Sequence, residues 1–342
     1  MTTLAECTTL RVGGPPRSAV VAGSERHLVE AVALCDEQGE PVLLVGGGSN
    51  LLVADAGFAG TLVRVATRGI AVEDAAACAG VTVRVAAGEP WDGVVEQAVA
   101  SGWSGVEALS GIPGATGATP VQNVGAYGQE VADTIASVRT WDRQRRAVRT
   151  FAAADCAFAY RYSLFKADRE RYVVLDVTFQ LRIADLSGPI RYAELARTLG
   201  IEVGERAPLA VVRAAVLALR ASKGMVLDDG DHDTWSAGSF FTNPILDAEA
   251  AAALPADAPR WPAADALVKT SAAWLIERAG FARGFGLPGP ASLSTKHTLA
   301  LTNRGSATAE DLLQLARIVR DGVRRTFGVE LVPEPVLVGC SL

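Results

Sequence analysis

Val45-Gly46-Gly47-Gly48-Ser49-Asn50-Leu51-Leu52 follows the apolar run Pro41-Val42-Leu43-Leu44-Val45, which has the pattern of a buried strand. Three consecutive glycines leave the end of that strand without a Cβ, so backbone N–H groups can turn inward and approach an anion closely. Ser49 and Asn50 add side-chain donors, and Leu51-Leu52-Val53 carries the chain back into a core. The pattern fits a cradle for a diphosphate, with an ordinary glycine-rich hairpin as the alternative. Neither common phosphate loop is present: no Gly-Lys-Ser/Thr ending follows, and no G-x-G-x-x-G opens a helix.

Outward from this turn, 342 residues are too many for one hydrophobic core, so two or three domains are expected. With 49% hydrophobic and 20% charged residues the balance is that of a soluble globular chain. The net charge of −6, with Lys and Arg scattered, argues against nucleic acid as a partner. Met1 to Glu6 lacks the basic start and apolar centre of a signal peptide. No window holds the roughly 18 uninterrupted apolar residues that a membrane span needs, so a cytoplasmic location is expected. Five cysteines (Cys7, Cys35, Cys78, Cys156, Cys340) form no C-x-x-C pair and three histidines (His27, His232, His297) no metal pair. Reduced thiols and no metal site follow.

Residues 17–66 have the form of a small βαβ-like unit. Ser18–Ala22 is a strand, Ser24 caps a helix with Leu28, Ala31, Val32 and Cys35 on one face, Gly39 ends it, and Thr61–Val65 is a further strand. From 67 to 183 short strands alternate with Gly and Pro: Val81–Val85, a helix from Pro90 to Ser101, and a closing strand Tyr172–Phe179 with Val173, Leu175, Val177 and Phe179 on one face. Between them Ser110 to Gly128 carries glycines and prolines without helical or strand period, and a tract of that length inside a domain points to function. After a polar connector, helices are expected from Tyr192 to Gly200 and from Leu209 to Arg220, then an acidic loop over 225–237 without the ligand order of a calcium loop. Thr308 and Asp311 form a capping box for a helix ending at Gly328, and Glu330–Val332 reads as a last short strand.

Three stretches carry residues suited to chemistry. Phe158-Ala159-Tyr160-Arg161-Tyr162-Ser163-Leu164-Phe165-Lys166 sets an arginine among aromatic rings, where a forked, weakly hydrated cation can grip a carboxylate. Ser236-Ala237-Gly238-Ser239-Phe240-Phe241-Thr242-Asn243-Pro244 sets a serine between glycine and two phenylalanines, where a hydroxyl could donate a proton to a substrate carbon. Val332-Pro333-Glu334-Pro335 holds a carboxyl rigidly between prolines.

Together with Thr9-Leu10-Arg11-Val12-Gly13-Gly14, these ordered motifs resemble the UDP-N-acetylenolpyruvoylglucosamine reductase (MurB) family of flavoenzymes, nearly end to end. The resemblance implies an α+β fold, with a two-part FAD-binding module of the vanillyl-alcohol oxidase and p-cresol methylhydroxylase (PCMH) type and a C-terminal α+β substrate-binding domain. The expected division is 1–66 with 329–342, then 67–184, then 185–328, the PCMH-type module covering about 13–183. It also implies the reaction, part of peptidoglycan precursor synthesis. NADPH reduces a non-covalent FAD, hydride passes from the flavin to the enol-ether carbon β to the substrate carboxylate, and an enzyme acid protonates the α carbon. The family's catalytic positions fall on Arg161, Ser239 and Glu334. Cofactor contacts fall on Val45, Gly46, Gly47, Gly48, Ser49, Asn50 and Leu51, and on Ser110, Gly111, Ile112, Pro113, Gly114, Gly117, Gln122, Asn123, Gly125, Ala126 and Tyr127.

For the substrate, the resemblance points to the tyrosine-loop type (type I), with Tyr192 in Gly188-Pro189-Ile190-Arg191-Tyr192 closing over the UDP part. It places Lys223 on the diphosphate, Asn243 on the uridine, and Tyr160, Lys269 and Arg283 as further contacts, His297 being a packing residue. The UDP-sugar is the expected partner of a monomer. Two departures stand out: the family's proline after the lysine is absent from Lys223-Gly224-Met225-Val226-Leu227, and the segment from Lys223 to Ser239 is several residues longer. Oxidases of the same fold often tether their flavin through a histidine near the phosphate turn, and no histidine lies between His27 and His232. A nucleotide-sensing module, the other alternative, would need the cradle but not Ser239.

Overall fold

The structure is a computed structural model that describes residues 3–76 and 80–342; Met1, Thr2 and the stretch containing Cys78 lie outside the described residues. It divides into two compact units, one of Met1–Pro16, Gly48–Phe58 and Lys223–Leu342, the other of Arg17–Gly47 and Ala59–Ser222. The chain crosses from one unit to the other within the glycine turn itself.

In the larger unit the Ser24 side chain accepts the His27 N–H and starts the helix Glu25–Gln38, with Leu28, Val32 and Cys35 buried along it. Gly39, at φ 65°, ends the helix in the left-handed conformation. The strand Val42–Val45 then pairs in parallel with Phe58–Val65, which separates it from Pro16–Ala22. Only Val45 of that run is buried. Expected as a buried strand, Val42–Val45 is instead an edge strand with a single neighbour, so its apolar composition overstates its enclosure.

A second, antiparallel sheet has the order Ala147–Ala152, Ile135–Asp142, Tyr172–Ile183, Gly80–Ala86, Ile70–Ala76. Its central strand runs four residues past the expected Phe179. The single apolar face expected for it is also corrected. Val173 and Leu175 pack with Leu28 and Val32, whereas Val177 and Phe179 pack with Val83, Trp91 and Val95. The register steps from Arg139↔Asp176 to Thr140↔Val174 and leaves Leu175 unpaired. That bulge turns the strand over, so one strand serves two cores.

The smaller unit is built around the helix Ala309–Phe327. Thr308 and Asp311 close a reciprocal capping box at its start, and Gly328, at φ 70°, ends it. Leu312, Leu315, Ala316, Val319 and Val323 are buried along its inner stripe, in one cluster with Leu275, Ile276, Leu293 and Leu301. The last strand is Val336–Val338, parallel to Leu51–Val53, not Glu330–Val332 as the sequence pattern suggests. Pro333 and Pro335 have no N–H to give, so the ladder begins after them, where the Val336 N–H donates to the Asn50 carbonyl at 2.9 Å.

Among the described residues no helix is long and apolar enough to cross a membrane, and no group of three His, Cys, Asp or Glu could hold a metal. Cys35 and Cys156 are buried, Cys7 and Cys340 half-buried, and none of these four is in a disulfide. Burial pushes the Cys156 thiol up to about 12, which keeps it inert. Because the capping box satisfies the first turn of the organising helix, Thr308→Ala should destabilise the smaller unit by about 1 kcal/mol. Urea unfolding followed by far-UV circular dichroism measures this; an unchanged midpoint would show that Asp311 and water replace the cap.

Candidate active site

In the larger unit the glycine turn meets the Ser110–Gly128 tract at backbone distance. A Cβ built on Gly47 would stand 2.6 Å from the Gly114 Cα, so no side chain can be accommodated there without moving the tract. The tract is held from behind. The Ser110 hydroxyl donates to the Glu107 carbonyl at 2.7 Å, the Gly111 N–H to Asp92 Oδ1 at 2.6 Å, and the Gly117 N–H to the Ala87 carbonyl at 2.8 Å. It is a succession of tight turns, with a 3-10 turn at Thr116–Ala118, one helical turn at Thr119–Gln122 and a two-residue hairpin arm at Gly125–Ala126. That explains why neither helical nor strand period is visible in its sequence.

Several polar side chains expected at the cofactor serve the tract itself. Asn123, at φ 41°, donates to Glu130 Oε2 (2.8 Å) and the Ala159 carbonyl (3.0 Å), and its Oδ1 accepts the Ala132 N–H (3.2 Å). Gln122 Oε1 accepts from Lys166 Nζ at 3.0 Å. What these side chains fix is a run of backbone, the means by which glycine-rich loops hold phosphates.

Arg161 sits at the tip of a tight turn closed by the Ala159–Tyr162 bridge, at φ 53°, a conformation costly for a non-glycine residue. Its Nη2 donates to the Gly125 carbonyl at 2.9 Å and its Nη1 to the Asn123 carbonyl at 3.3 Å, while Tyr160 lies 5.5 Å from the guanidinium carbon. The structure thus joins Arg161 to the tract it was separated from by more than thirty residues of sequence. It also joins Tyr192 to Tyr127. Tyr192 is the N-cap of Ala193–Leu199 and 45% exposed, and its ring stands edge-on to that of Tyr127 with centroids 5.5 Å apart. Burial pushes the Tyr127 phenol up to about 12, so it is neutral at physiological pH; the nearby Arg220 charge opposes that shift.

In the smaller unit the segments that carry Ser239 and Glu334 pair through their backbones. Phe241 and Pro333 form an antiparallel bridge, the Thr242 N–H donates to the Val332 carbonyl (3.0 Å), and the Glu334 N–H donates to the Phe240 carbonyl (2.8 Å). Glu334 is therefore opposite Phe240, one step along the ladder from Ser239. Phe240 and Phe241 are buried while Ser239 and Glu334 are half-exposed. Asn50 Nδ2 donates to the Glu334 carbonyl at 3.4 Å, which brings the far end of the glycine turn into the same assembly. Gly48, at φ 62°, has no room for a side chain, because a Cβ would run into the Cys7 carbonyl.

The remaining expected substrate contacts lie in the smaller unit. Asn243 Oδ1 accepts the Ala272 N–H at 3.0 Å, at the start of the helix Ala272–Arg278. Lys269 lies in the strand Val268–Thr270 between Ile245 and Trp261, and Arg283 is exposed. Lys223 and His297 are half-buried. The long segment after Lys223 is anchored by its own acids: Asp233 bonds Thr295 and Arg304 (2.9 Å), Asp231 bonds Lys296 (2.5 Å), and Asp229 pairs with Arg11.

Two further groups were not legible as site residues. Asp92 accepts Arg213 through both oxygens, at 2.7 and 2.9 Å, as well as the Gly111 N–H. Burial pushes the Asp92 carboxyl up, but the guanidinium and the amide outweigh it and hold it below the usual carboxylate range. Asn303 donates to the carbonyls of Leu10 (3.1 Å) and Arg11 (3.3 Å). The Thr9–Gly14 motif was the only pointer to the second group, and it gave no role to any residue.

With this geometry in view, the sequence profile of the C-terminal domain of UDP-N-acetylenolpyruvoylglucosamine reductase matches residues 230–338, and that of an FAD-binding domain residues 16–150. Curated UDP-N-acetylenolpyruvoylglucosamine reductases are similar throughout. That of Cutibacterium acnes is 56% identical over 341 residues, covering 99% of this chain and 90% of the relative. That of Streptomyces avermitilis is 56% identical over 350 residues, covering 99% and 94%. The chain belongs to the UDP-N-acetylenolpyruvoylglucosamine reductase family. A crystal structure of the Thermus caldophilus enzyme of that name is 25% identical, covers 98% of this chain and 97% of its own, and superposes with a TM-score of 0.67.

The residues present fit the FAD of a UDP-N-acetylenolpyruvoylglucosamine reductase. At Gly47 only backbone fits, because a Cβ there would meet the Gly114 backbone, and a diphosphate approached by amides requires such a position. Gly47→Ala forces that approach apart at about 1–3 kcal/mol, which converts to roughly ten- to a hundredfold weaker FAD binding. The ratio of flavin absorbance to protein after gel filtration reads this loss; full retention would place the diphosphate elsewhere.

Proposed function

We propose that this chain is an NADPH-dependent, FAD-containing reductase that converts UDP-N-acetylglucosamine enolpyruvate to UDP-N-acetylmuramate, with Ser239 supplying the proton. The observation that carries the residue assignment is the backbone ladder that sets Ser239 one step from Glu334 while both stay half-exposed beside two buried phenylalanines. FAD, when bound, supplies the hydride added to the enol-ether carbon β to the carboxylate.

Reduction of a double bond conjugated with a carboxylate builds enolate-like charge on the carboxylate and the α carbon. Arg161, already held by two backbone carbonyls with its aromatic neighbour, is the cation assigned to that charge. The Ser239 hydroxyl donates its proton to the α carbon. An alkyl hydroxyl is a weak acid, suited to a strongly basic enolate and to re-protonation through water or a neighbour. Glu334, fixed between prolines, orders that exchange. Tyr192 covers the UDP part, supported by its exposure and its edge-on contact with Tyr127. Lys223 takes the diphosphate, Asn243 the uridine, and Tyr160, Lys269 and Arg283 are outer contacts. The same proposal assigns residues 1–66 with 329–342 and 67–184 to the flavin and 185–328 to the substrate. It also takes the protein as a cytoplasmic monomer, since UDP-sugars and NADPH are metabolites of the cell interior.

Ser239→Ala should leave flavin bleaching by NADPH within about twofold and slow its reoxidation by the enolpyruvyl UDP-sugar by roughly 10²–10⁴-fold, in stopped-flow absorbance. Equal losses in both half-reactions would contradict the proton-donor role. Tyr192→Ala should weaken substrate binding by roughly fivefold, the value of about 1 kcal/mol of lost aromatic contact, with little change in flavin reduction. Unchanged substrate affinity in calorimetry would remove Tyr192 from the site.

A further inference from the structure

Thr9 makes two bonds that meet the two halves of the smaller unit's site. Its N–H donates to the carbonyl of Gly48 at 3.2 Å, and its buried hydroxyl donates to the carbonyl of Ser236 at 2.6 Å. Gly48 belongs to the glycine turn, and Ser236 lies three residues before Ser239. The surroundings of Thr9 are equally fixed. Thr8 Oγ1 donates to the Val12 carbonyl at 3.2 Å, and the Arg11 guanidinium stacks on the Trp235 ring with its carbon 3.9 Å from the centroid. Asn303 donates through Nδ2 to Leu10 and Arg11, while its own N–H donates to the Trp235 carbonyl at 3.0 Å.

On the far side of Ser239 the chain is held again, by the Phe240 N–H on the Leu299 carbonyl at 2.7 Å and the Glu334 N–H on the Phe240 carbonyl. Ser239 is thus carried on a short span whose downstream end is part of a backbone ladder and whose upstream end is held at the Ser236 N–H by the Thr234 carbonyl (2.8 Å) and at the Ser236 carbonyl by the Thr9 hydroxyl. Between them Gly238, at φ 72°, gives the span freedom to rotate, and its N–H donates to Ser236 Oγ at 3.2 Å.

We propose that Thr9 is a positioning residue of the reduction: its hydroxyl on Ser236 and its amide on Gly48 set the Ser239 hydroxyl at a fixed place relative to the glycine turn. The inference rests on the proton-donor reading of Ser239. A hydroxyl that must protonate one carbon atom is sensitive to displacements of about 1 Å, which can cost roughly a hundredfold in rate. Hydride delivery into the flavin makes no use of that hydroxyl.

The test separates the two half-reactions on holoenzyme, with rates expressed per bound flavin. Thr9→Val keeps the shape and removes the donor; Thr9→Ser keeps the donor. Thr9→Val should slow flavin reoxidation by the enolpyruvyl UDP-sugar roughly 10–100-fold and leave reduction by NADPH within about twofold. The solvent deuterium isotope effect on reoxidation should rise as proton transfer becomes limiting, and Thr9→Ser should restore both values. Reoxidation at the wild-type rate, or equal slowing of both halves, overturns the proposal, because a purely structural threonine would change stability and flavin content but not the ratio of the two rates. If Thr9→Val does not fold, Thr9→Cys, whose thiol is a weaker donor, takes its place under the same criteria. Ser239→Ala is run alongside. Should it slow both halves equally, the proton-donor reading falls and the Thr9 assignment with it. Should it slow only reoxidation while the Thr9 variants match wild type, the Thr9 assignment alone falls.

Discussion

Backbone-to-backbone approach at the glycine turn is the constraint on which the rest of the structure depends. Within the larger unit a Cβ on Gly47 would meet the Gly114 Cα, and within the smaller unit a Cβ on Gly48 would meet the Cys7 carbonyl. Side chains are excluded from both contacts by sterics alone. The consequence is chemical. A segment that can present only amides and carbonyls is a poor reader of side-chain detail, but fixed backbone dipoles of this kind suit an anion, since they need no reorganisation when a charge arrives.

The same economy of side chains runs through the Ser110–Gly128 tract. Ser110 Oγ, Gln122 Oε1 and both polar atoms of the Asn123 side chain bond Glu107, Lys166, Glu130, Ala159 and Ala132, and Asp92 holds the Gly111 amide from behind. Polar side chains in a binding loop are often assumed to face the ligand. Here they keep a left-handed Asn123 and a series of tight turns in one conformation, at positions where strain would otherwise let the loop relax. Arg161 follows suit. Two of its donors are committed to the Asn123 and Gly125 carbonyls, so the guanidinium is held in one orientation.

What was legible in the sequence follows from range. Ser24 before its helix, Gly39 and Gly328 after theirs, and the Thr308–Asp311 box are local devices, and the structure bears each of them out. The glycine turn and the Ser110–Gly128 tract were legible as unusual because neither has a period, though not in the detail of their turns. The errors arose where a distant partner overrides a local pattern. Alternation put Val173, Leu175, Val177 and Phe179 on one face, and a bulge set by the neighbouring strand's register divides them between two cores. Leu331 and Val332 after Glu330 suggested a strand, but pairing with Leu51–Val53 begins only once two prolines are passed. The parts played by Thr9 and Asn303 had no local signature at all, since each is a side chain bonded to backbone more than two hundred residues away.

Pro333 and Pro335 show how a rule that misleads at the level of strands can serve a site. Their missing amides break the ladder on either side of Glu334 and leave that residue with a single backbone N–H, which goes to the Phe240 carbonyl. A glutamate within a regular strand could slide one register and reverse its face. One confined between two prolines cannot, because φ is fixed before and after it and only one pairing satisfies its amide. The adjacency of Ser239 and Glu334 is therefore decided by backbone accounting, before either side chain makes a bond. Both residues remain half-exposed.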